Sequence, residues 1–341
     1  MSPGRLISAL TLALALASPA AAQDKVLNLY SARHYDTDEA LYANFTKATG
    51  IKVNRIEAGD DQLLERIRNE GANSPADVLL IVDAARLSNA EQLGLFAPLR
   101  SRTLEERIPA VYRHPQGLWF GFSSRARVIV YDPKSVKPED VRSYQDLALP
   151  VNKGKVCTRP GSHPYMLSLV SAMIEHMGEA QAEAWARGVV ANFARPPRGG
   201  DTDQIRAVAS GECAVALTNS YYWVRLMRSK KPEDRAVVQG AKFAWPDQQG
   251  VGTHMNISGG GLMRNAPNRD NAVRFLEYLA SDEAQGYFAN GNNEWPVVKT
   301  AVVNNPELAS LGAFKADPLN VGAFGKNLAA AQRLVDRVGW K

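Results

Sequence analysis

Residues 77–82 read DVLLIV, a run with one leading acid and then five apolar side chains. It is too short for a helix and lacks the polar alternation of a half-exposed strand. Such a run fits a strand buried on both faces, inside a largely parallel sheet with helices over it. What precedes it agrees. Residues 26–30 read as a strand, 36–49 as an amphipathic helix closed by Gly50, 51–56 as a second strand and 60–70 as a helix ending at Gly71. Residues 86–92 resume the helical pattern after the run. Strands alternating with helices of this length make βαβ units.

Near residue 120 the rhythm changes. Residues 119–122 and 127–131 read as two strands in quick succession with no helix between them, where the chain leaves one sheet for another. A second α/β unit follows, with strands at 155–157 and 214–217 and helices at 165–176, 179–191 and 203–210. Residues 243–246 and 254–262 read as a return into the first half, then 271–280 and 282–288 as helices. The expectation is an α/β, two-lobed binding-protein fold with mixed sheets flanked by helices and two crossover strands as hinge. Residues 23–123 and 249–298 form the N-terminal lobe, and 124–248 and 299–341 the C-terminal lobe, with a ligand cleft between them.

The first 22 residues carry Arg5, an apolar run over residues 6–17 and Ala20-Ala21-Ala22, which reads as a secretory leader cleaved after Ala22. The remainder is expected to be a soluble periplasmic protein. In that oxidising compartment Cys157 and Cys213 are most simply one disulfide, two buried thiols being the alternative. The bridge would be worth roughly 3–4 kcal/mol by loop entropy. The 40 basic and 35 acidic side chains are mixed along the chain, with no basic stripe interleaved with aromatics, so nucleic acid is not an expected partner.

Enzyme signatures are missing from the sequence. It has no H-E-x-x-H, G-x-S-x-G, Walker A or C-x-x-C pattern, and Gly259-Gly260-Gly261 reads as a tight passage from strand to turn. Its five histidines form no i, i+4 pair, which argues against a histidine-rich zinc site. Tyrosines carry more information. His34 and Tyr35 follow the first strand at its carboxyl end, where open α/β sheets bind ligands. Tyr165 follows the turn PGSHP into a helix, and Tyr221 and Tyr222 follow the strand at 214–217 with Asn219 or Ser220 as N-cap. An adjacent tyrosine pair among 11 tyrosines arises by chance roughly one time in three. Phenols at the starts of several helices beyond strand ends are less easily dismissed. In the first turn of a helix, neighbouring side chains diverge by only about 100°, so both phenols can reach one ion. Hard Fe³⁺ suits several phenolates, whereas zinc and copper favour nitrogen and sulfur, and calcium and magnesium carboxylates and carbonyls.

The stretches YSARHYDTDEALYANFTKATGIKVN, NSPADVLLIVDAARL, WFGFSSRARVIVYDP, KVCTRPGSHPYMLSLVSAMI, GGDTDQIRAVASGECAVALTNSYYW and NISGGGLMRNAPNRDNAVRFLEYLASDEAQ cover most of the chain after the leader. Together they resemble periplasmic ferric-iron-binding proteins, in particular the cyanobacterial iron-deficiency-induced type. The resemblance implies a transferrin-like trap that delivers Fe³⁺ to the permease of an ABC importer as a monomer. It implies Tyr35, Tyr165, Tyr221 and Tyr222 as metal ligands, His34 as an auxiliary ligand and Arg125 as a neighbour that offsets phenolate charge. It implies that the Cys157–Cys213 bridge ties the loops bearing Tyr165 and Tyr221/Tyr222 into one lobe. Tyr165 stands where relatives that bind phosphate or carbonate use other ligands, so a synergistic anion or water is a lesser need here. The rival expectations are a metal-free organic or anionic solute, ferrous iron, or a secreted metalloenzyme. The last is disfavoured because tyrosine-rich ligation comes with no evident general base.

Overall fold

The computed structural model describes residues 25–33 and 38–341. The expected leader and the expected ligands His34 and Tyr35 lie outside these residues. The chain opens with β1 (Val26–Ser31), α1 (Asp38–Thr49), β2 (Lys52–Glu57), α2 (Asp60–Glu70) and β3 (Val78–Val82). β1 pairs in parallel with β2 on one side and β3 on the other. All of β3 is buried, the reason its sequence shows no polar alternation. Then come α3 (Ala84–Gln92), α4 (Arg102–Arg107) and β4 (Phe120–Tyr131).

β4 corrects one expectation. It is a single strand of 12 residues, buried throughout, where the sequence predicts two strands broken at Ser123-Ser124-Arg125. The polar groups between the two runs are paired inside the protein. Arg125 donates to Ser258 Oγ at 2.7 Å and to the Ile257 carbonyl at 2.7 Å.

The second half contains β5 (Val156–Cys157), α5 (Pro164–Met177), α6 (Glu179–Ala191), α7 (Asp201–Ala209), β6 (Val215–Asn219), α8 (Ser220–Met227), α9 (Pro232–Gly240) and β7 (Lys242–Ala244). β8 (Met255–Leu262), α10 (Arg269–Leu279), α11 (Asp282–Asn290) and β9 (Trp295–Pro296) follow, then α12 (Pro306–Ala309) and α13 (Ala323–Val338). The strand order is β2-β1-β3-β8-β4-β6-β5, with β7 and β9 also on β4. From Phe120 to Ala126, β4 pairs with β8, and from Arg127 to Tyr131 it pairs with β6. One strand thus serves two sheets. β7 pairs with Ile129–Tyr131, so it belongs to the second sheet rather than returning to the first as expected.

Each sheet has its own core. Leu27, Phe45, Phe275 and Leu276 pack on the first, and Ile129, Leu169, Trp185 and Leu217 on the second. α13 lies along α5 and also against α3, which belongs to the first half. No helix is predicted after residue 288, yet α13 buries Phe324, Ala331, Leu334, Val335 and Val338, which recur at helical spacing. Among the described residues no helix is long and apolar enough to cross a membrane.

Gly259-Gly260-Gly261 sits inside β8, not at a turn. β8 is flanked by β3 and β4, and a Cβ at Gly260 would lie 2.3 Å from the Leu79 carbonyl oxygen. At Gly261 it would lie 2.2 Å from the Leu118 carbonyl oxygen. Glycine is needed here for close approach of neighbouring backbones. Gly260→Ala is therefore expected to destabilise the protein by about 2–3 kcal/mol. Urea denaturation should show a lower midpoint at unchanged slope; a wild-type midpoint would mean that the neighbouring strand yields freely.

Candidate metal centre

β6 ends at Asn219 and α8 begins at once. Asn219 has the extended backbone of an N-cap, φ −82° and ψ 141°, but its side chain does not cap. Its amide oxygen accepts from Arg127 at 3.1 Å, and its N–H donates to Asp201 at 2.7 Å. Tyr221 and Tyr222 therefore fall in the first turn of α8, as expected. Their rings lie tilted against each other, with centroids 4.2 Å apart and planes 31° apart. Tyr221 is buried and Tyr222 half-buried.

Tyr165 comes from the start of another helix. Pro164 opens α5, and the His163 Nδ1 accepts from the Tyr165 N–H at 3.2 Å. Burial, then Arg159, Arg127 and Arg86, push the His163 pKa down to about 3, so the ring is neutral and free to accept. That ring meets Tyr165 edge to face at 4.6 Å. The Tyr165 and Tyr221 hydroxyl oxygens are 3.3 Å apart. Two helix starts thus bring three phenols into one cluster.

The disulfide supports that arrangement. Cys157 at the end of β5 is bridged to Cys213 just before β6, with Cα atoms 6.0 Å apart. Cys157 precedes Tyr165 by eight residues and Cys213 precedes Tyr221 by eight, so the bridge ties the roots of both loops.

Around the phenols stand guanidinium groups. Arg125 and Arg127 alternate on β4 and so face the same side. Their Cζ atoms lie 5.7 and 6.0 Å from the Tyr165 ring centroid, and that of Arg159 lies at 5.1 Å. Arg225, at the surface, lies 5.1 Å from the Tyr222 ring and 5.7 Å from that of Tyr221. Positive charge this close to the rings favours the anionic form of a phenol by Coulomb attraction. Carboxylates offset part of this. Asp201 takes Arg127 at 2.7 Å and Arg159 at 3.5 Å, and Glu294 takes Arg125 at 3.1 Å and Arg33 at 3.6 Å. Arg33 and Asp38, on either side of residues 34–37, pair at 2.9 Å. A line of buried charge thus runs from the end of β1 to the tyrosine cluster.

Of the residues named from sequence, Tyr165, Tyr221 and Tyr222 come together, Arg125 lies beside them, and the cysteines are bridged. His163, Arg127, Arg159, Asp201 and Glu294 were not anticipated. A signal existed for one of them: two arginines two apart in an otherwise apolar strand must both find buried partners. Among the described residues no group of three or more His, Cys, Asp or Glu side chains is arranged to hold a metal ion. A metal at this cluster would be held mainly by phenol oxygens. Replacing Asp201, which is fully buried, with alanine leaves Arg127 an uncompensated charge and should cost about 3–5 kcal/mol of stability. Asp201→Asn, which can still accept, should cost less, and urea denaturation of both variants checks that order.

Comparison with known proteins adds a family context. The bacterial extracellular solute-binding protein family matches residues 73–313. Iron uptake protein A2 of Synechocystis is 50% identical over 94% of this chain and 92% of its own length. A Trichodesmium protein solved with iron and citrate ligands superposes with a TM-score of 0.90 at 54% identity, over 93% of this chain and 100% of that one. The ferric binding protein of Campylobacter jejuni superposes with a TM-score of 0.86 at 38% identity, over 92% of this chain and 99% of that one.

Proposed function

The chain belongs to the bacterial extracellular solute-binding proteins and has their two-lobed fold, and from that premise we propose that it captures ferric iron in the periplasm. It then hands the ion to the permease of an ABC-type importer. The observation that carries this is the meeting of Tyr165 and Tyr221 at 3.3 Å, with the Tyr222 ring packed against that of Tyr221, under a surplus of guanidinium charge. A phenol ordinarily titrates near 10, so a neutral solute would find only hydroxyls there. A small, highly charged cation displaces those protons, and anionic oxygen suits Fe³⁺.

In this reading Tyr165, Tyr221 and Tyr222 are ligands from the C-terminal lobe. Tyr35 is the ligand from the N-terminal lobe, with His34 auxiliary to it. Support comes from the buried Arg33–Glu294–Arg125 line, which leads from the end of β1 to the phenols. Arg125 offsets phenolate charge, and the guanidinium surplus leaves room for an anion or water as co-ligand. The lobes are residues 23–123 with 249–298, and 124–248 with 299–341. The exchange of β4 from one sheet to the other at Ala126/Arg127 supports that division. The two halves close over the ion by a hinge, the usual motion of such traps. The protein works as a soluble monomer and performs no catalysis, since capture and release break no covalent bond.

Ferric citrate added to the iron-free protein should give an intense phenolate-to-iron charge-transfer band in the visible. Tyr221→Phe/Tyr222→Phe should lose most of it; colour equal to wild type would overturn the ligand assignment, and a colourless wild type the iron reading. Binding should also release protons. With four phenols displaced at neutral pH, apparent affinity should fall by about four powers of ten per pH unit of acidification. Competition against citrate at several pH values, corrected for the titration of citrate, measures that slope, and a flat profile would exclude phenolate ligation.

A further inference from the structure

The turn that delivers Tyr165 is held from behind by a residue far away in sequence. After α13 the chain reverses at Gly339, whose φ of 72° lies in the left-handed region that glycine tolerates. The Trp340 N–H then donates to the Val335 carbonyl at 3.0 Å, which folds the chain back over the last turn of the helix. The Trp340 side chain, 1% exposed, enters the second core, with its ring centroid 5.9 Å from that of Trp185 and 5.7 Å from that of Phe193.

The indole N–H and the carbonyl of Trp340 go to one place. The N–H is shared between Thr158 Oγ1 at 2.9 Å and the Arg159 carbonyl at 3.3 Å. The carbonyl accepts the Gly161 N–H at 3.1 Å. A Cβ at Gly161 would lie 2.5 Å from that carbonyl oxygen and 2.8 Å from Trp340 Cγ, so the turn rests directly on the tryptophan. Burying the ring against Trp185 and Phe193 requires only that its N–H find some partner. Here the partners all belong to residues 158–161, between Cys157 of the disulfide and the start of α5. The same residues set the metal centre in two ways. Arg159 places its guanidinium 5.1 Å from the Tyr165 ring centroid. The His163 N–H donates to the Pro160 carbonyl at 3.0 Å and His163 Nδ1 accepts from Tyr165, so a shift of the turn shifts the first turn of α5.

We propose that Trp340 is a positioning residue for the metal centre. Through its hydrogen bonds to residues 158–161 it holds Tyr165 and the Arg159 guanidinium where they serve the ion. The inference rests on the reading of Tyr165 as an iron ligand.

Two variants break the contact from opposite sides. Trp340→Phe keeps an aromatic ring in the core and removes the N–H, and Thr158→Val removes an acceptor and leaves the tryptophan. Ferric citrate titrated into the whole protein, with competition against citrate, reads the charge-transfer band and the affinity, and thermal melting shows whether each variant is folded. Each is expected to shift the band maximum and to weaken iron binding by about tenfold. Trp185→Phe serves as control, because it disturbs the same aromatic cluster while its own N–H goes to the Tyr144 carbonyl at 2.7 Å. It should lower the melting temperature and keep the wild-type band and affinity. A folded Trp340→Phe protein with wild-type band and affinity would overturn the proposal, and so would a Trp185→Phe protein altered as much as Trp340→Phe. If Trp340→Phe does not fold, Thr158→Val decides on the same terms. A colourless wild type sinks the iron reading and this inference with it, whereas a coloured wild type matched by Trp340→Phe sinks this inference alone.

Discussion

A guanidinium group taken out of water has to be met by a carboxylate, and this fold buries two of them on one strand. Arg125 and Arg127 are each 1% exposed, and their partners Glu294 and Asp201 are fully buried. Such pairs contribute little net stability because desolvation consumes most of the attraction, yet either partner without the other is costly. The architecture around β4 follows from that asymmetry. Glu294 arrives from the far end of α11, 169 residues on in sequence from Arg125, and Asp201 opens α7. Each pair fixes a distant segment of chain against the strand that both sheets share.

The tyrosine cluster is built on this frame. Asn219 would ordinarily spend its side chain capping α8. Here it is turned onto Arg127, and its N–H is held by Asp201, so the start of α8 is anchored to the buried charge. α5 is started by a neutral histidine and a proline, which aims Tyr165 at Tyr221. The disulfide braces both approaches from behind. Position, charge and covalent cross-link all act on the same few residues.

What could be read from sequence divides along physical lines. α2 and α6 have the predicted limits, because Gly71 and Gly178 border them and their periodicity is clean. β3 announces itself through unbroken apolarity. The three phenols could be placed because each follows a strand-to-helix turn, which is local information. β4 was split and Gly259–Gly261 misplaced because burial of polar groups and close backbone approach are tertiary facts. α13 was legible as well, since Phe324, Ala331, Leu334, Val335 and Val338 recur at helical spacing, whereas Glu294 and Asp201 escaped because nothing local marks an acid as the partner of a distant arginine.

The spacing of the two buried cations has one more consequence. On the other face of β4, Ala126 and Val128 pack with Met255 against Phe243, Trp245 and Trp295. Side chains alternate along a strand, so a slip of one residue exchanges the two faces. It would drive both guanidinium groups into that aromatic box at once and strand both acids. A single buried charge would guard one sheet, whereas two on one strand, astride the point where it changes sheets, guard both. The pair works as a key cut with two teeth: the central strand can be threaded through the molecule in only one alignment.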